Sequence, residues 1–166
     1  MVVMEIATVV EEYPDLRRST FNTNSPPTKE LVLDHILRII QEDESKTQLL
    51  SPCIKSIGCL ARTFPARETR LTLPLVKHLD DRELSVSKEA AIALSKLSYS
   101  ENYLHMEHSK AIIESSSAPH LVQLVYFGEG MAQVPALILL CYLALHGDNE
   151  ALAKAEALST LEWAYK

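Results

Sequence analysis

Apolar and polar residues alternate along this chain in blocks of helical period, and the blocks themselves recur. Val86, Ala90, Ala93, Leu94 and Leu97 fall at the spacing that lines one face of an α-helix. The same period predicts long helices over residues 46–63, 85–99 and 131–146. It predicts shorter ones over 30–41, 72–80, 102–114, 119–127 and 158–166. From Val134 to Leu145 the third long helix is apolar on most sides, which predicts a helix buried between layers. Pro52 and Pro135 fall in about the first turn of long helices, where a missing N–H is tolerated. Gly128 and Gly130 punctuate the turn between Phe127 and Met131.

Two sets of anchors show the recurrence. Leu60, Leu97 and Leu143 each close a long apolar run and are each followed by a small residue, at spacings of 37 and 46. Ile36, Leu75, Leu121 and Leu158 head the shorter runs, at spacings of 39, 46 and 37. The two sets interleave, so one long unit recurs, with an insertion between Leu97 and Leu121. Helical units of about 40 residues mark armadillo and HEAT arrays, in which a unit that cannot bury its own apolar face stacks on its neighbours. The expected fold is all-α: an armadillo-type right-handed α-α superhelix, or solenoid, of about three to four repeats over residues 29–166. Residues 1–28 are expected to form an N-terminal helix and a linker, since 19–27 are rich in Ser, Thr, Asn and Pro. The last short helix, with Leu161 and Trp163, lacks the long helix that would cover it. That suggests a fragment, a truncated family member, or a surface that pairs with another chain.

Composition narrows this further. Four glycines and three phenylalanines among 166 residues disfavour a turn-rich sandwich or barrel. A formal net charge of −6 gives no global pull toward nucleic acid or anionic lipid. Cys53, Cys59 and Cys141 have apolar neighbours and are expected to be reduced and largely buried. No apolar run approaches the roughly 18 residues of a membrane span, and residues 1–10 do not read as a secretion signal.

Several long runs, in order, resemble the plant armadillo-repeat-only family. They include residues 52–64 from Pro52 to Phe64, residues 102–114 from Asn102 to Glu114, residues 120–130 from His120 to Gly130, and residues 158–164 from Leu158 to Ala164. The resemblance covers roughly residues 46–166 and corresponds to the C-terminal part of those longer proteins. It implies a non-enzymatic scaffold in plant Rho-type GTPase signalling and polarised cell growth. The implied partner is a protein, such as a GTPase regulator or an acidic segment, and any membrane association is indirect. The implied location is the cytoplasm, the plasma-membrane periphery or the nucleus. A second reading is the substrate-binding armadillo domain of a plant ubiquitin ligase, which requires a U-box or similar domain absent from these 166 residues.

Armadillo arrays bind along a groove lined by their long helices. In nuclear-import adaptors that groove carries a Trp with an Asn four residues on, which clamps basic peptides. The matching Trp positions here are Lys55, Ile92 and Ile138, and the matching Asn positions are Cys59, Lys96 and Tyr142, so no such ladder exists. The candidate groove residues are instead Lys55, Arg62, Lys88, Lys96, Tyr99 and Tyr142, whose four cations would steer an acidic segment. His105 and His108 have a metal-like spacing but no third ligand, so no metal or cofactor is expected. Asp80, Asp81 and Glu83 read as caps of the following helix. Ser115, Ser116 and Ser117 read as a turn. There is no phosphate loop, no Cys-x-x-Cys and no Gly-x-Ser-x-Gly, and no catalytic residue is expected. Self-association through the edge near Trp163 is a further expectation.

Overall fold

The computed structural model describes residues 26–42, 47–61, 69–146 and 149–165. Among these residues all regular structure is helical, with no strand. The helices are α1 (Pro26–Glu42), α2 (Thr47–Leu60), α3 (Thr72–Lys77), α4 (Leu84–Ser98), α5 (His105–Glu114), α6 (Ser117–Phe127), α7 (Gly130–His146), α8 (Asn149–Lys154) and α9 (Ala157–Tyr165). A 3₁₀ turn, His78–Asp80, extends α3. The expected helix at 1–12 lies outside the described residues.

The long helices α2, α4 and α7 lie side by side in that order. Behind them run the shorter elements, with α1 against α3, the 3₁₀ turn against α6, and α6 against α9. Between the two rows sits one continuous core. Ile36, Ile54, Ile57, Leu75, Leu79, Leu94, Leu97, Leu121, Leu139 and Leu140 are almost wholly removed from water in it. Each such side chain contributes about 1.5–3 kcal/mol of hydrophobic stabilisation. The anchors Leu60, Leu97 and Leu143, and likewise Ile36, Leu75 and Leu121, are all buried.

Some boundaries differ from the sequence reading. α1 begins at Pro26, ahead of Glu30, because Pro26 and Pro27 occupy the first turn, where no N–H is needed. Pro52 and Pro135 each fall six residues into their helices, in the second turn. The Pro135 carbonyl accepts the Ser95 hydroxyl of α4 (3.4 Å), and the Pro52 carbonyl accepts the Ser56 hydroxyl (2.8 Å). α5 starts at His105 rather than Asn102, because the Asn102 side chain is committed to a corner. Its Nδ2 donates to the Ala61 carbonyl and its Oδ1 accepts from the Leu104 N–H, both at 3.1 Å. α8 was not predicted at all.

The turns α5–α6 and α8–α9 are copies of each other. Ser116 (φ 59°) and Glu156 (φ 58°) are the positive-φ residues among those described. Ser115 N–H donates to the Ala111 carbonyl and Ser116 N–H to the Ile113 carbonyl. Forty residues on, Ala155 N–H donates to Ala151 and Glu156 N–H to Ala153. In this register buried Ile112 matches buried Leu152, and Leu121 matches Leu161. The last anchor is therefore Leu161, packed against the core, and not Leu158, which is half exposed.

The expectation for α7 is corrected in one respect. Ala132, Ala136, Leu139, Leu140 and Leu143 are buried, but Met131, Val134, Ile138 and Leu145 are exposed. α4 covers one side of α7, and among the described residues no long helix covers the other. Cys141 shares that open side and is exposed, against expectation, whereas Cys53 and Cys59 are buried; all three thiols are free. Among the described residues, no helix is long and apolar enough to cross a membrane.

Candidate binding face

The expected binding residues lie on or beside the row of long helices. In α4, Lys88, Glu89, Ile92 and Lys96 recur at helical spacing on the side turned away from the buried Ala90, Ala93, Leu94 and Leu97. Beside them, α2 supplies Lys55, which is exposed, and Gly58, which is buried. α2 and α4 approach closely at this glycine. A Cβ there would stand 3.2 Å from the Ala93 Cα and 3.6 Å from the Lys96 Cδ, so a larger side chain would push the helices apart.

This approach leaves an open hollow of about 220 Å³ lined by Lys55, Gly58, Glu89, Ile92, Ala93 and Lys96. It is smaller than the roughly 300–1,000 Å³ of small-molecule sites, so its size suits one side chain of a partner. Its floor is apolar, from Ile92 and Ala93, and its rim carries two ammonium groups and one carboxylate. Glu89 tempers the cationic character expected from the lysines alone. Its Oε1 lies 3.9 Å from Lys88 Nζ, and Lys88 is itself only 28% exposed.

The two tyrosines come together. Tyr99, just past the end of α4, meets Tyr142 of α7 edge to face, with ring centroids 5.5 Å apart. Tyr142 holds on α7 the repeat position that Lys96 holds on α4. Burial pushes the Tyr142 phenol above its ordinary value, and Tyr99, Cys141 and Glu101 act in the same direction. Of the remaining candidates, Arg62 lies outside the described residues. Cys59, expected at a groove position, is buried and so takes no part in an open face. Ile92, Gly58 and Glu89 were not singled out from sequence as binding residues. The signal for Ile92 was its repeat equivalence to Lys55.

The histidines and carboxylates serve the fold. His108 is buried, with Nδ1 3.3 Å from the Leu97 carbonyl. His105 Nδ1 lies 2.8 Å from the Asn102 carbonyl, and its ring stacks edge to face on His146. Their spacing in sequence therefore does not become a shared site. His78 Nε2 donates to the Ile40 carbonyl (3.0 Å), while its Nδ1 faces Asp81 (3.2 Å). The Asp81 carboxylate also accepts from the Glu83 N–H, just ahead of α4, so it serves the cap role read from sequence. Asp80 pairs with His120. No group of three potential metal ligands occurs among the described residues.

No family model matches this chain, and no curated protein or solved structure matches it.

Proposed function

We propose that this chain is a non-catalytic protein-binding scaffold built as an armadillo-type solenoid. On this reading α2, α4 and α7 are the third helices of successive repeats. The shorter row supplies the second helices, and α5 and α8 are first helices. The duplicated turns at Ser116 and Glu156, with their matching hydrogen bonds 40 residues apart, support a repeated unit.

The single observation that carries the binding reading is the hollow between α2 and α4, where lysines frame an apolar floor. A partner segment with an acidic residue next to an apolar one fits this chemistry. The apolar side chain would sit over Ile92, and its carboxylate would meet Lys55 and Lys96. The Tyr99–Tyr142 pair extends the face toward α7 and offers aromatic contact. The resemblance to plant scaffolds of Rho-type GTPase signalling makes a GTPase regulator the partner of choice.

The test is fluorescence-anisotropy titration with synthetic acidic–apolar peptides, including peptides cut from plant GTPase regulators. Binding should weaken about tenfold or more in Lys55→Glu and Lys96→Glu, with circular dichroism unchanged, and it should weaken with added salt. Equal affinity in wild type and both variants would remove the hollow as the site.

A further inference from the structure

We infer that the open side of α7 is the contact surface between two copies of this chain. The inference stands apart from the peptide-binding reading and does not require it.

The observation is a seam. Met131, Val134, Ile138, Cys141 and Leu145 are spaced 3, 4, 3 and 4 residues apart, and all five are exposed. Exposure reaches 64% at Met131 and 74% at Leu145. A 3-4 apolar spacing sustained over two heptads is the a/d pattern that seats one helix against another. It is too long and continuous to be the scattered apolar exposure that any surface carries.

The row of long helices says what kind of object fits. The α2–α4 contact has the small residue Gly58 at its centre, and the α4–α7 contact has Ser95. Cys141 holds the same repeat position on α7, 46 residues after Ser95. The open side of α7 thus continues an interface already used twice within the chain, and both times the occupant is a long helix.

Three features point to α7 of a second copy as that helix. First, α7 carries no Asp, Glu, Lys or Arg, so two copies can lie together without opposing like charges. Second, the opposite end of the row is closed. Ser56 and Cys59 hold on α2 the positions by which Ala93 and Lys96 of α4 receive α2, and both are buried. A head-to-tail stack is therefore blocked at α2, and the remaining arrangement is a symmetric one, α7 on α7. Third, the exposed Trp163 of α9 lies in the other row, packed on Tyr126 with ring centroids 5.1 Å apart. The edge near Trp163 therefore flanks the contact rather than forming it.

Sedimentation equilibrium of the full chain tests this. The wild type should run at twice the mass of one chain. Ile138→Glu and Leu145→Glu should each run as one chain with unchanged circular dichroism, and Trp163→Ala should remain paired. As an independent reading, the rate at which iodoacetamide alkylates Cys141 should fall as wild-type concentration rises. A wild-type chain of single mass, a dimer that survives Ile138→Glu, or a Cys141 rate independent of concentration would each overturn the inference. Should a Glu variant unfold, the wild-type mass and the alkylation series still decide.

Discussion

The side-chain amide of Asn102 donates to the carbonyl of Ala61, 41 residues earlier in the chain, across 3.1 Å of buried space. This bond ties the corner after α4 to the end of α2. The same side chain accepts from the Leu104 N–H, and the Asn102 main-chain N–H donates to the Tyr99 carbonyl at 2.7 Å. Replacing Asn102 by Leu keeps the volume but strands a buried carbonyl and a buried N–H. Asn102→Leu should therefore lower stability by about 3 kcal/mol, read as a shift of the urea midpoint with the m-value unchanged.

The two left-handed turns make an opposite prediction. Ser116 and Glu156 adopt a conformation that costs an L-residue about 1–2 kcal/mol, and that glycine takes freely. After the extra entropy glycine brings to the unfolded chain, Ser116→Gly and Glu156→Gly should each stabilise by up to about 1 kcal/mol. Ser116→Val should destabilise, since a β-branched residue tolerates this region worst. Thermal melts of the three variants check the sign.

The cysteines separate by environment. Burial pushes the Cys53 thiol up, so its thiolate fraction at neutral pH lies below that of an ordinary cysteine. Cys141 is exposed. In dilute folded protein iodoacetamide should modify Cys141 first. Cys53 should react only in denaturant or as the pH is raised well past the usual thiol range. Peptide mapping after timed alkylation gives the order, and equal rates would contradict the burial of Cys53.

Gly128 is set by space rather than by φ. A Cβ there would run into the Leu124 carbonyl, which already accepts the Gly128 N–H at 2.9 Å. Gly128→Ala should force the α6–α7 turn open and destabilise by about 1–2 kcal/mol, whereas Gly130→Ala, with open space around it, should be neutral or mildly stabilising. Paired melts of the two variants test this contrast.

Much of the fold was legible because the strongest signals were long. Leu60, Leu97 and Leu143 anchor runs of three or more turns, and each is buried in the long-helix row. What escaped was short or symmetric. α8 has six residues with Leu152 as its buried apolar anchor, too little for a period to show. The turn at Glu156 carries no glycine, so nothing in Ala155–Glu156–Ala157 announces a left-handed residue. α7 is so evenly apolar that its sequence does not tell the covered side from the open one, and that hid Cys141. In the candidate face the lysines were legible as types. Their tempering by Glu89 was not, because it depends on where α2 and α4 approach.

The position of α4 has a consequence for how the chain comes apart. It has a long neighbour on each flank, while α2 and α7 each share the row with one. Loosening should begin at the margins and travel inward. Amide protons of residues 90–97 should exchange with deuterium last, those of α9 among the first, and mass spectra over time should record a staircase of protection rather than a single collapse.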